Sequence, residues 1–309
     1  MKKVLIILLK IIGVVLAAIV IFLATVFTVN VISNKSEQGK IEPYGQFVTV
    51  DGKNMNVTIQ GQGEETVVLL PGYGTGSPGI DFMPLVEELA PFYKVVVIEP
   101  FGYGLSDVSE KERSIDNIVD EVHEALQQLN IDRYILMGHS IAGIYGLEYV
   151  NRYEDEVSAF VGIDSSFPSQ PVEEYPAESY ELLRKSGFLR LIMKLAPDET
   201  TQLKVDDETK EQERMISLKN VMNPNILSEG EQMEYNFNVA QDLEFPKNLP
   251  VFFFLAENTT DVEGWKVAHE EQIKDLVHGE VMEFEGGHYL HHTRSKEIVE
   301  NFRMLYEAK

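Results

Sequence analysis

Apolar and polar residues are distributed in three regimes. The first is a run of 22 uncharged residues, 11–32, IIGVVLAAIVIFLATVFTVNVI, whose polar members are two threonines and an asparagine. At about 1.5 Å per residue, a helix of that length covers roughly the 30 Å of a bilayer core. It shows no amphipathic stripe, which argues against a helix of a soluble core. A cleaved signal peptide is the competing reading. Its apolar region runs about 7–15 residues and ends in a small-residue site, whereas here Ala24 is followed by bulky TVFTVNVI. The pattern therefore predicts an uncleaved transmembrane anchor over 1–32 and a short polar linker over 33–42. Lys2, Lys3 and Lys10 precede the run, so the amino terminus is expected in the cytoplasm and the rest of the chain outside.

The second regime, from residue 43 onward, alternates strand and helix. FVTVDGKNMNVTIQ reads as two strands around an Asp-Gly turn. TVVLLPG, KVVVIEP, RYILMGH, SAFVGIDS, PVFFFLAE and EVMEFEG are short runs that are mostly apolar throughout, as in strands buried on both faces of a parallel sheet. SIDNIVDEVHEALQQLN carries apolar residues at helical spacing behind a capping Ser114. The alternation predicts a doubly wound, mostly parallel eight-stranded α/β sheet over 43–309. The third regime interrupts it. From about 166 to 248 there are amphipathic runs, SYELLRKSGFLRLIMKLAP and ETKEQERMISLKNVMN among them, and no convincing strand. This predicts a helical cap inserted between two strands, over the carboxyl edge where ligands bind.

Composition narrows the possible functions. The 309 residues include no cysteine, which removes disulfides, thiolate metal sites and a cysteine nucleophile. Fifty acidic residues against 26 basic ones give a net charge of −24, a surface that repels nucleic acid and anionic lipid headgroups, so neither is expected as a partner of the soluble face.

The candidate chemistry centres on Gly138-His139-Ser140-Ile141-Ala142-Gly143, between the strand RYILM and an apolar helix. A strained strand-to-helix turn holds a serine up at the sheet edge, and the helix amino terminus points its N–H groups at the same place. Ala142 stands where the G-x-S-x-G pattern has glycine, with Gly143 after it. A serine there needs a base late in the chain, and His288 directly follows the last strand. His291 and His292 compete for that role; they are expected to begin a surface helix, and a metal held by His288-x-x-His291-His292 is discounted. His139 is expected to buttress the turn, and His123 to be solvated. The loop LLPGYGTGS sets the N–H of Tyr73 opposite that of Ile141, a pair suited to an oxyanion hole. It matches neither a phosphate-binding loop nor a dinucleotide fingerprint.

LLPGYGTGS, IEPFGYGLSD, MGHSIAG and EGGHYLHH, in this order and spacing, resemble the α/β-hydrolase family over residues 43–309. The resemblance implies Ser140 as nucleophile, His288 as base, and Tyr73 and Ile141 as oxyanion donors. Pro71-Gly72 replaces the His-Gly that often opens such a loop. The family's acid commonly follows the next-to-last strand, where LAENTTDVEGW offers Asp261 and, behind it, Glu257. Lipase-like members place it one strand earlier, where VGIDSSFP offers Asp164. The expectation favours Asp261 with Asp164 as the alternative. The function expected is a membrane-anchored serine hydrolase acting on small-molecule carboxylic esters, with no metal and no organic cofactor. The alternative is a ligand-binding sensor of the same fold with little or no turnover.

Overall fold

The computed structural model describes residues 2–196, 202–257, 262 and 264–308. After helix α1 (Lys2–Gln38), strands β1 (Gln46–Val50) and β2 (Lys53–Gln60) form the hairpin around Asp51-Gly52. Then come β3 (Thr66–Leu70), α2 (Pro78–Asp81), α3 (Met83–Leu89), β4 (Lys94–Glu99), α4 (Ile115–Gln128), β5 (Tyr134–His139), α5 (Ala142–Arg152) and β6 (Val157–Ile163). Helices α6 (Ala177–Ser186), α7 (Phe188–Leu195), α8 (Asp207–Asn220), α9 (Pro224–Glu231) and α10 (Met233–Ala240) separate β6 from β7 (Val251–Ala256). The chain closes with α11 (Trp265–Ile273), β8 (Gly279–Phe284), α12 (Leu290–Thr293) and α13 (Ser295–Glu307).

The eight strands form one sheet in the order β1-β2-β4-β3-β5-β6-β7-β8. Strand β2 runs antiparallel to both its neighbours, and the strands from β3 to β8 are parallel. Alternate residues of each buried strand feed two cores. Val68, Leu70, Leu136 and Phe160 pack with Ile118 and Val122 of α4 and with Ile144 and Leu147 of α5. Val67, Leu69, Ile135 and Val161 pack on the other face with Leu85 of α3 and with Ile298 and Phe302 of α13. Burial on both faces explains why these strands are apolar without alternation.

The chain divides into two compact units, Met1–Ile41 with Pro176–Asp198, and Glu42–Tyr175 with Glu199–Lys309. The expected insertion is thus shared: α6 and α7 group with α1, and α8 to α10 with the sheet. In the sheet unit, three buried asparagines fasten α8 and α9 to loops at the carboxyl edge. Asn220 Nδ2 donates to the carbonyls of Gly76 (2.9 Å) and Gly104 (2.8 Å), Asn223 Nδ2 to Gly102 (2.6 Å), and Asn225 Nδ2 to Ser109 (2.9 Å). In the other unit, α1 is long and apolar enough to cross a membrane. It remains helical through most of the expected linker, to Gln38, because Arg190 of α7 binds Glu37 (2.6 Å), Asn34 and Asn30 (3.1 Å) along its last turns.

Candidate active site

Strand register sets the site. Leu70 lies beside Gly138, His139 beside Ile163, Ile163 beside Phe254, and Ala256 beside Phe284. The residues that follow each strand therefore emerge along one edge: Pro71, Ser140, Asp164 and, in the loop just past β8, His288.

Ser140 has φ +54°, in the left-handed region that a non-glycine residue occupies at a cost of about 1–3 kcal/mol. Its surroundings maintain that conformation. The Ser140 N–H donates to the Ile163 carbonyl (3.3 Å), and the Ser140 carbonyl accepts from the N–H of Ser166 (2.8 Å) and of Gly143 (3.0 Å). Gly143 is required by close approach, since a Cβ there would stand 2.4 Å from the Ser166 carbonyl oxygen. This accounts for the glycine one place later than the usual pattern. Ile141 caps the amino end of α5, so its N–H belongs to the turn that has no intrahelical acceptor. The β3 loop passes against the serine: a Cβ on Gly72 would be 3.0 Å from Ser140 Cβ and 2.8 Å from His139 Nδ1. Tyr73, next in that loop, is tied by its hydroxyl to the Ile226 carbonyl (2.9 Å) and the Tyr175 hydroxyl (2.7 Å).

The carboxylate that meets His288 is Asp164. Its Oδ2 lies 2.7 Å from His288 Nδ1, while Oδ1 accepts from the Ala256 N–H (3.0 Å) and from Trp265 Nε1 (3.1 Å). Asp164 is fully buried, its φ is +42°, and the His288 side chain is 34% exposed. Since a carboxylate accepts, the ring donates through its Nδ1–H. Asp261, the residue favoured from the sequence, lies outside the described residues, and Glu257 is exposed at the end of β7. Trp265, the only tryptophan in the chain, belongs to no motif that would have marked it. Its indole holds Asp164, and its carbonyl is bound by His269 Nδ1 at 2.8 Å.

Behind this row lies a second histidine cluster. His139 is buried, and its Nε2 sits 3.0 Å from the His288 carbonyl, fixing the backbone of the residue at the mouth. Burial, with repulsion from His291 and His288, drives its pKa well below the ordinary value. His291 and His292 do not begin a surface helix as expected; both are buried in α12. Each places Nε2 2.8 Å from one oxygen of Asp81, a residue over 200 positions earlier. Burial works to raise the pKa of Asp81, but the two imidazoles outweigh it and hold the carboxyl far below its usual range. Burial pushes the pKa of His291 down, against the pull of the Asp81 carboxylate. These three residues offer ligand-type atoms within 4.8 Å of one another, yet both Nε2 atoms are spent on the carboxylate. His123 is half-buried, stacked on Tyr153 with centroids 3.7 Å apart and bound to Glu156 at 3.0 Å, rather than solvated.

This chain belongs to the α/β-hydrolase family. The family's fold profile matches residues 65–201. The chain is 32% identical over 254 residues to the uncharacterized protein YbdG of Bacillus subtilis, covering 79% of this chain and 78% of that one. It is 26% identical over 180 residues to 2-hydroxy-6-oxo-6-(2'-aminophenyl)hexa-2,4-dienoic acid hydrolase of Metapseudomonas resinovorans, covering 57% of this chain and 59% of that one. Among solved structures it resembles epoxide hydrolase VrEH1 of Vigna radiata, with TM-score 0.67, 16% identity, and coverage of 86% of this chain and 98% of that one. That likeness is one of fold.

Proposed function

We propose that this protein is a membrane-anchored serine hydrolase that cleaves carboxylic esters through an acyl-enzyme on Ser140. The observation that carries the reading is the 2.7 Å contact of His288 with buried Asp164, on the sheet edge that also carries Ser140 in its left-handed turn. Asp164, with its other oxygen occupied by Ala256 and Trp265, holds the His288 tautomer whose Nε2 accepts a proton. In this role Asp164 is preferred to Asp261.

The steps follow from those roles. Ser140 Oγ attacks the ester carbonyl carbon as its proton passes to His288 Nε2. The N–H groups of Tyr73 and Ile141 hold the tetrahedral oxyanion. The C–O bond to the leaving group breaks, the alcohol takes the proton from His288, and the acyl group remains on Ser140. Water then attacks, giving its proton to His288; Ser140 Oγ departs with that proton and the carboxylic acid leaves. The buried carboxylate beside His288 supports the hydrolase reading over the sensor alternative, since an orienting acid is what turnover requires. Relatives on this scaffold carry names for other bonds, so the ester preference rests on the serine and its flanking N–H groups. Helices α8 to α10, fastened to the carboxyl-edge loops, act as the cap, and α1 anchors the chain with its amino terminus in the cytoplasm.

The test uses purified full-length protein with a panel of nitrophenyl esters of graded acyl length, matched anilides and an aryl epoxide. Ester turnover that disappears in Ser140→Ala is expected. Epoxide opening without ester turnover would overturn the reading.

A further inference from the structure

Helices α6 and α7 pack against α1. They turn at Gly187, whose φ is +85° and whose Cβ, if present, would stand 2.7 Å from Asn30 Cβ and 3.0 Å from the Val26 carbonyl. The turn is therefore pressed against α1. Phe188 meets Phe22, with ring centroids 6.0 Å apart, and Phe22 lies at the middle of the uncharged run 11–32. If that run spans the bilayer, Phe188 lies within the hydrocarbon.

Three further observations agree. Leu182, Ile192, Met193 and Leu195 are 68%, 50%, 38% and 78% exposed, on two helices that pack against α1, whose own apolar side chains are exposed. The charge nearest α1, Arg190, is buried and fully engaged by Glu37, Asn34 and Asn30. Charges at membrane depth are held that way, turned into a bundle and paired. Finally, with Arg190 spent on Glu37, residues 177–195 keep three basic and two acidic side chains, a net +1 in a chain of net −24. A cationic, amphipathic segment suits anionic headgroups.

We propose that α6 and α7 are embedded in the leaflet at the carboxyl end of α1, forming a three-helix membrane unit in which Leu182, Ile192, Met193 and Leu195 face acyl chains. Lys194 snorkels to the phosphates. The partner is the lipid bilayer itself, and the inference rests on the reading of α1 as a membrane anchor.

Because the chain has no cysteine, single-cysteine probes need no background changes. Ile192→Cys, Leu195→Cys, Ala17→Cys in α1 and Glu110→Cys on an exposed loop are labelled with an NBD fluorophore. Each full-length variant is reconstituted in phosphatidylcholine–phosphatidylglycerol vesicles and quenched with doxyl-phosphatidylcholine or with iodide. The expected result is several-fold stronger lipid quenching at 17, 192 and 195 than at 110, with iodide showing the reverse. Lipid quenching at 17 with iodide quenching at 192 and 195 would overturn the inference and leave the anchor standing. Iodide quenching at 17 would overturn both.

Discussion

Two buried aspartates in this protein each meet imidazole, and the contrast between them separates chemistry from structure. Asp164 gives one oxygen to the backbone and to Trp265 and the other to His288, whose ring is one-third exposed. Asp81 gives both oxygens to His291 and His292, whose rings are 0% and 7% exposed. The same pair of groups thus serves opposite ends. The His288 ring meets its aspartate through Nδ1 and is partly exposed, and the others spend Nε2 on Asp81 in the interior. A carboxylate–imidazole contact becomes a candidate acid–base device only where the second ring nitrogen is reachable.

Substitutions can break that contrast, beginning with the largest effect. Ser140→Ala should lower ester turnover by about 10⁶ and leave the melting temperature near that of the parent, which steady-state assays and calorimetry read directly. Asp164→Asn should cost about 10⁴ in turnover with the hydroxyl still present. Asp261→Asn, measured beside it, should keep parental turnover, and the reverse outcome would transfer the orienting role to Asp261. Asp81→Asn should behave differently: turnover per folded molecule within a few-fold, and stability reduced by about 1–3 kcal/mol for the polar groups left unpaired. Denaturant titration and active-site counting separate the two. Trp265→Phe removes one donor from Asp164, so turnover should fall about tenfold, the equivalent of about 1.4 kcal/mol in the barrier. No change would mean the Ala256 N–H suffices.

The smallest effect concerns pH. Burial lowers the pKa of His139, His269 and His291. In the unfolded chain these rings titrate near about 6.5, so below that pH the unfolded state binds more protons. Stability should therefore decline as pH falls from about 7 to about 5. A melting temperature that is flat or rising over that interval would show that these rings are not held neutral.

Much of the fold is legible in the sequence because its signals are local. Apolar runs over TVVLL, VVVIE and YILMGH, and the helical spacing from Ile115 to Leu126, each follow from one element's own burial. The serine turn is legible too, since its small residues stand within six positions, although Ile163 and Ser166 are what hold it. The carboxylate is not. Asp164 and Asp261 each follow an apolar run in the sequence, and the sheet register that sets Ile163 beside Phe254 is a property of pairing, not of spacing. The burial of His291 and His292 depends on Asp81, more than 200 residues away. The residues after 32 read as a linker because they are polar, and the helix that occupies them is held by Arg190 from a distant segment.

Covalent labelling reads the nucleophilicity of Ser140 and its dependence on Asp164 in one experiment. Full-length protein is incubated with an alkyl fluorophosphonate, and the adduct is located and timed by peptide mass spectrometry. One adduct per chain is expected, on Ser140, absent from Ser140→Ala and formed orders of magnitude more slowly in Asp164→Asn. An adduct on another residue, or labelling of Ser140 at the same rate with and without the Asp164 carboxylate, would contradict the roles assigned to Ser140 and Asp164.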